Sequence, residues 1–330
     1  MLTKTQAVKK NPQTFNFYEE FKACTLFYAR FHLIFLSCLF LQLLLFFVFF
    51  PYLSKSAASA FIPAFFLLTL FSYLVILFFF QTKRPMQLLN MKEKLSLHLK
   101  AQGLSPLEIA DAIQKEAFSL IEEELSFYSA SSSFTSINPV LSKLKIRLHW
   151  QNFHLMKELL FLLAIDELTN IIKKTPLDPT THIKLTETYK NLSLIYLTPA
   201  FSWIPVEFSS EAMESKFQFF SERAIEEITV LQDYGIENSW IHSTLAEIYH
   251  LQKRPENEIK EYETLLEIMP ENEKILFQLG MLYFQEGLNS KGLKVYEKLL
   301  TLDPSQADQI INYYGSYTTY ETSLLSSVSS

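Results

Sequence analysis

The sequence predicts an all-α fold: an N-terminal two-helix transmembrane hairpin followed by a helical-repeat α-solenoid domain. Three observations predict it. Two long uncharged apolar runs lie near the N-terminus, apolar residues recur at helical spacing through the remainder, and a 34-residue echo lies near the C-terminus.

The first apolar run, Leu33 to Phe50, holds 18 residues, broken only by mildly polar Ser37, Cys38 and Gln42. As a helix it reaches about 27 Å, close to a hydrocarbon core. The second runs from Ala57 to Phe80, and Pro51-Tyr-Leu-Ser-Lys-Ser56 between them supplies a turn. Of the 30 phenylalanines, 18 fall in the first 80 positions, which concentrates apolar bulk where lipid is the expected solvent. Lys4, Lys9, Lys10, Lys22 and Arg30 precede the first run, and Lys83, Arg84, Lys92 and Lys94 follow the second. The link carries only Lys55, so the positive-inside bias places both termini in the cytoplasm. A multi-pass protein of two membrane helices is expected, with a bacterial inner membrane favoured. Ala58-Ser59-Ala60 resembles a signal-peptide cleavage site, but the first run is long for that role and about thirty residues precede it. His32, Gln42 and Ser72 are the candidates for a transport pathway. With no acidic or basic partner in either run they do not compose an ion relay. Small Ala57, Ala58, Ala60 and Ala64 would let two hairpins approach as a homo-oligomer.

Beyond residue 80 the chain carries 23 basic and 33 acidic residues. That balance disfavours phosphate-backbone binding, so nucleic acid is not an expected partner. Cys24 and Cys38 compose no disulfide framework, and no thiolate zinc site exists beyond them.

The expected organisation is a cytoplasmic segment (1–30), the hairpin (31–80), an amphipathic connector with a Ser-rich link (81–136), the repeat domain (137–314) and a disordered tail (315–330). In the connector, Leu88, Leu89, Leu95 and Leu99 keep helical spacing until Gly103. Ser105-Pro-Leu-Glu108 has the form of a capping box and opens a helix with the stripe Ile109, Ile113, Ala117, Leu120, Ile121 and Leu125. The run Glu122-Glu123-Glu124 opposes docking on anionic lipid, so this stripe is expected to pack on protein. Residues 129–136 read as a flexible link, and Asn138-Pro139 opens the next helix. Leu159 to Ile165 is too short to span a bilayer and predicts a core helix ended by Pro176 and Pro179.

The echo is specific. Leu245, Tyr249, Tyr262, Leu265, Leu266 and Pro270 recur as Leu279, Tyr283, Tyr296, Leu299, Leu300 and Pro304. Ala246 is answered by Gly280, Ile259 by Leu293 and Ile268 by Leu302. These residues resemble the tetratricopeptide repeat (TPR) family, whose 34-residue unit is two antiparallel helices. Residues 273–306 match well, with Leu279-Gly280, Tyr283, Gly287, Gly292, Tyr296, Leu299-Leu300 and Asp303-Pro304 in place. Residues 239–272 depart at two positions: Lys253 replaces the turn glycine, and Glu258 stands where the family prefers alanine. A degenerate unit lies upstream. Ala224, Ile225, Ile228 and Leu231 precede Glu258, Ile259, Tyr262 and Leu265 by 34 positions, and Leu185 and Tyr189 mark its first helix. An insertion of about 26 residues, holding Thr198-Pro-Ala-Phe-Ser-Trp-Ile-Pro205, separates its halves. A unit over 140–176 would precede it. Gln306 to Tyr314 is expected to shield the last repeat.

The resemblance implies a groove lined by the first helix of each unit, here by Trp240, Ser243, Glu247 and His250, then Lys274, Phe277, Met281 and Phe284. The Lys and Asn clamp of chaperone-tail-binding members is absent, since Ser243, Glu247, Phe277 and Met281 hold those positions. Aromatic and methionine side chains suit an amphipathic helix or apolar peptide. The alternative is that Phe277, Met281 and Phe284 pack beneath a neighbouring helix.

Catalytic chemistry finds little support. With six glycines there is no phosphate-cradling loop or dinucleotide fingerprint, and no serine or cysteine lies in a nucleophile motif. His149, His154 and Glu158 come nearest to a metal set, but a spacing of five puts the histidines on different helix faces. No cofactor and no enzymatic activity are expected. The expected function is a membrane-anchored scaffold or adaptor presenting a cytoplasmic TPR groove to a peptide or helix of a partner protein. A chaperone-like holder of apolar segments of exported or membrane proteins is the second reading, and an enzyme of unrecognised type the third.

Overall fold

The long apolar runs do not end where the apolar residues end. The structure, a computed structural model, describes residues 16–53, 61–129, 138–197 and 211–315, and every regular element among them is helical. Helix α1 (Phe17–Leu53) has 37 residues and α2 (Phe61–Ala101) has 41. They are the two described helices long and apolar enough to cross a membrane. Large apolar side chains stand out from them all round, including Leu36, Phe40 and Phe47 on α1 and Phe65, Phe71 and Phe78 on α2. A helix apolar on every face and unburied by its own protein needs an apolar solvent or partner.

Two polar pairs cross between the helices of the hairpin. Gln42 Nε2 donates to Thr69 Oγ1 at 2.7 Å, and His32 Nδ1 lies 3.1 Å from Tyr73 Oη. Ser72 bonds its own helix at the Leu68 carbonyl, 2.8 Å away. His32 and Gln42 are thus interhelical ties, which in an apolar medium replace lost water. Phe31 seals the lower half, its ring 4.6 Å from that of Phe80.

Below the apolar runs both helices continue as a stalk. The expected connector is not a separate element there: α2 carries on through Pro85, and residues 86–101 form its last turns. Leu88, Met91, Leu95 and Leu99 recur on one face and are buried, as are Phe17, Phe21 and Tyr28 on α1. Residues of the expected N-terminal segment therefore belong to a helical core. Likewise, α1 runs through Pro51 to Leu53 where a turn was expected, since a proline so close to a helix end removes only the bond to the Phe47 carbonyl. Gly103, at φ +75°, ends the α2 segment in the left-handed region.

The next two helices pack on this stalk. Helix α3 (Pro106–Ser129) opens with the expected capping box: Ser105 N–H donates to Glu108 Oε2 at 2.8 Å, and Glu108 N–H to Ser105 Oγ at 3.3 Å. These bonds hold the Glu108 carboxyl below the ordinary glutamate range. Ile109, Ile113, Ala117 and Leu120 are buried as the stripe requires, whereas Leu125 is exposed. Helix α4 (Asn138–Ile172) lies along α3, with Leu160, Phe161, Ala164 and Leu168 fully enclosed. Phe21 meets Phe153 edge-on at 4.9 Å, tying α1 to α4. The acidic run of α3 also reaches into the core. Glu124 is buried, takes Lys157 Nζ at 2.6 Å and accepts from Tyr128 Oη at 3.0 Å. Such a pair is costly to break because either partner alone would be a buried charge.

The remaining elements are α5 (Pro179–Leu194), α6 (Glu211–Asp233), α7 (Ser239–Leu251), α8 (Pro255–Ile268), α9 (Glu273–Gln285), α10 (Asn289–Leu302) and α11 (Pro304–Ile310), closed by a 3₁₀ turn at Ile311–Tyr313. The chain divides into two units, the first holding α1 to α4 with residues 194–217, the second residues 182–193 of α5 and everything from 218 onward. Helix α4 thus packs with α3 in the first unit, although the sequence placed residues 137–181 with the repeats; its apolar face is satisfied by α3 and the stalk. Several expectations fall outside the described residues: Ala57, Ala58 and Ala60, the Ser-rich link over 130–136, Trp203 and Ile204 in the insertion, and the tail after Gly315.

His154 sits in the first unit, stacked on Trp150 at 4.9 Å and edge-on to Tyr196 at 5.3 Å. Burial, aided by Lys157 and Lys216 and opposed by Glu158, pushes its pKa down to about 4. The unfolded chain takes up this proton near pH 6.5, so between 6.5 and about 4 it binds more protons than the folded chain. Stability therefore falls as pH drops through that window, by up to roughly 3 kcal/mol at 1.36 kcal/mol per pH unit. Thermal unfolding of the full chain in detergent at pH 7 and pH 4.5 should show this loss. The His154→Phe variant, which keeps the stacking, should lose much less.

Candidate interaction surface

The second unit is assembled from helical pairs whose ends are specified locally. Asn238 and Asn272, 34 positions apart, each accept the third backbone N–H of the following helix, from Ile241 and Ile275, both at 3.1 Å. The first helices also end alike. Arg254 N–H reaches the Tyr249 carbonyl at 2.9 Å, and Leu288 N–H reaches that of Tyr283 at 2.7 Å, a Schellman closure in each pair. This closure needs one residue at positive φ. Gly287 supplies it at +73°, and Lys253 adopts it at +57° despite its side chain. The missing glycine in α7–α8 therefore leaves the turn intact and strained.

The second departure is equally well absorbed. In α9–α10, Phe284 lies over Gly292 so closely that a Cβ there would stand 2.5 Å from the ring. The equivalent positions in α7–α8 are His250 and Glu258, and they hydrogen-bond at 3.1 Å. Glu258 is only 4% exposed, and burial raises its carboxyl pKa, partly offset by His250. One crossing is filled by an aromatic ring on a glycine, the other by a polar pair.

A related pattern establishes the register of the upstream unit. His242 Nδ1 lies 2.7 Å from Glu261 Oε2, tying α7 to α8. His182 Nδ1 lies 2.7 Å from Glu227 Oε2, tying α5 to α6. Glu227 precedes Glu261 by one 34-residue period, and His182 precedes His242 by that period plus the 26-residue insertion. In the last pair the same positions are Leu276 and Val295, and the tie is apolar. Ile183 and Tyr189 of α5, Ala224, Ile228 and Leu231 of α6, and Ile241, Leu245 and Ile248 of α7 share one core. The degenerate unit is thus a helical pair of the same kind. These His–Glu spacings were readable in the sequence, but only once the insertion length was known.

The eight residues read as a groove separate into three groups. Ser243, Glu247 and Lys274 are exposed, and Lys190 Nζ of α5 reaches Glu247 at 2.9 Å, so the first helices of successive pairs share this face. Trp240, Phe277 and Met281 are half-buried, with Trp240 and Phe277 packed against the cores beneath them. Phe284 leaves the set: it turns towards the second helix of its pair and is fully buried between Gly292 and the closing turn, where Tyr314 meets it at 5.7 Å. His250 stays exposed while bonding Glu258 of its own pair. The reason is geometric: the last turn of the first helix lies over the first turn of the second. Lys190 joins the face and was not foreseen.

The terminal helix acts as a lid, as the sequence implied. Asp303 caps α11 through Ser305 N–H at 2.9 Å, Pro304 opens it, and Ala307 and Ile310 are buried. Ile310 Cδ1 approaches the place where a Cβ on Gly280 would be, at 2.9 Å, which explains a glycine inside α9. Among the described residues no group of three or more His, Cys, Asp or Glu could hold a metal ion. His149 and His154 are buried among aromatic rings, and Glu158 bonds Lys216 at 2.8 Å.

Replacing Lys253 by glycine should raise stability by roughly 0.5–1 kcal/mol, because the relief of left-handed strain exceeds the added chain entropy. A urea unfolding midpoint would measure it. His250→Phe alone should destabilise, since the ring meets Glu258, whereas the His250→Phe/Glu258→Gly pair should recover most of the loss. A double-mutant cycle should give a coupling of about 1 kcal/mol or more.

Residues 273–306, which hold α9 and α10, match the family model of the tetratricopeptide repeat. No curated protein matches the chain. The chain, helical in every described regular element, therefore contains a tetratricopeptide repeat, a module that generally mediates protein–protein binding, and the preceding pair α7–α8 repeats that unit's cap and closing turn.

Proposed function

We propose that this chain is a membrane-anchored adaptor that presents the face formed by the first helices of its repeats to a peptide or amphipathic helix of a partner protein. The observation that carries this reading is the shared face itself, where Glu247 and Lys190 meet across successive first helices beside half-buried Trp240, Phe277 and Met281. Packed aromatic anchors beside exposed polar groups suit a helix laid along a groove, with the apolar side chains giving affinity and the charged ones orientation. The hairpin holds the module at a bilayer. Its apolar helices, their mutual polar ties and the flanking basic residues support two spans with both termini on the cytoplasmic side of a bacterial inner membrane. No chemistry is assigned to the chain, and the role is binding.

Proximity crosslinking in the native membrane, read by mass spectrometry, tests the adaptor. The variant Ser243→Arg/Met281→Glu changes the face while sparing the buried residues beneath it. One or two stoichiometric partners should be lost, at least tenfold, corresponding to about 1.4 kcal/mol. A partner set that does not change would reject the face. A broad set of apolar clients would favour a chaperone-like holder instead. Alkaline extraction should leave the chain in the membrane pellet.

A further inference from the structure

At the foot of the hairpin, below the last apolar residues, lies a group of side chains for which neither anchoring nor the repeat face has a use. Arg84 follows Phe80 by one helical turn. Its guanidinium lies 4.5 Å from the centroid of the Tyr28 ring, and its Nε is buried with no hydrogen-bond partner. Among the described residues no carboxylate pairs with it. One turn further, Gln87 Oε1 accepts from Tyr28 Oη and also from Cys24 Sγ at 3.5 Å. With its oxygen so engaged, the amide must present Nε2 outward as a donor. Beyond it opens a recess of about 530 Å³ between α1 and α2, lined by Cys24, Phe27, Gln87, Asn90, Lys94 and Glu20 among others. Glu20 is the sole acid among its lining residues, and Lys94 holds it at 3.4 Å. The recess thus offers an oriented amide at Gln87 and a further amide at Asn90 beside apolar Phe27, and the guanidinium of Arg84, without a carboxylate partner, lies one turn nearer the apolar run.

The level is equally informative. Arg84 lies about 6 Å and Gln87 about 10 Å past Phe80 along α2. A headgroup layer extends some 5–8 Å beyond the hydrocarbon on each side, so Arg84 lies within it and Gln87 just past it, with a side chain that leans back toward the helix N-terminus and hence toward the layer. Resting on the proposed anchoring, we infer that Arg84 and the Gln87 amide hold the phosphate of an anionic phospholipid of the cytoplasmic leaflet, its acyl chains lying against the exposed apolar face of the hairpin. A planar guanidinium grips a phosphate through two parallel N–H bonds. The uncompensated positive charge favours a lipid of net negative charge over a zwitterionic one. Tyr28 and Cys24 act as positioning residues, since they fix the Gln87 amide and the plane of Arg84.

The test uses the full chain in dodecylmaltoside micelles, with the thermal midpoint followed by circular dichroism as phosphatidylglycerol, phosphatidylcholine or inorganic phosphate is added. Phosphatidylglycerol should raise the midpoint saturably, and the other two should do so weakly. Arg84→Gln, once shown to retain wild-type helicity, should need about tenfold more phosphatidylglycerol for half the effect. Lys83→Gln, one position away and exposed, should stay within about twofold of wild type, which separates a site from diffuse attraction to basic charge. Arg84→Lys should fall between them, since it keeps the charge and loses the fork. Equal losses in the Arg84 and Lys83 variants, or none in the Arg84 variant, would overturn the site. An equal effect of inorganic phosphate would overturn the lipid as its ligand. Flotation with vesicles keeps the two ideas apart: a chain that floats but shows no Arg84 dependence loses only the lipid site, and one that does not float loses the anchor as well.

Discussion

The second unit depends on one crossing, repeated, where the last turn of a first helix lies on the first turn of its partner. The crossing must be filled without forcing the helices apart, and the two clear pairs fill it in different ways. Gly292 admits the ring of Phe284, while Glu258 receives a hydrogen bond from His250. Because the positions are coupled, neither residue type is interchangeable alone. The same coupling explains why a buried glutamate is tolerated where a small residue would be simpler: its charge is desolvated but has a partner.

From that crossing the rest of the unit follows. The Schellman closures and asparagine caps settle the helix ends, and the His–Glu or Leu–Val ties hold the opposite edges of each pair. The first helices then line up on a common face, and α11 covers what would otherwise be an open apolar end. On that face Trp240 and Phe277 are packed from below, which limits the side-chain freedom they have left.

The first unit answers a different constraint. Its two apolar helices leave most of their apolar side chains exposed, so Gln42 and His32 turn to the opposite helix, and a buried core forms only where charged residues start. There the stalk, α3 and α4 share a core that includes a buried ion pair and aromatic contacts. The same change of environment leaves Arg84 and Gln87 at the boundary, with donors that the protein itself does not use.

The sequence by itself determined the elements. Apolar runs without charge, a 34-residue period, the capping box at Ser105–Glu108 and the glycine at 287 are local or periodic signals, and local physics enforces them wherever the chain folds. Which side of an element a residue serves was decided by tertiary structure. Phe284 and Met281 both read as groove residues, yet one is enclosed and the other borders the face, because that depends on the crossing with α10 and on the lid of α11. Glu124 reads in the sequence only as part of an acidic run that opposes docking on anionic lipid, and it is α4, by placing Lys157 against it, that makes it half of a buried ion pair. The extent of α2 and the packing of α4 on α3 were likewise set by partners distant in sequence. Periodicity names a face, and only the neighbours brought to it decide whether that face is core, contact or surface.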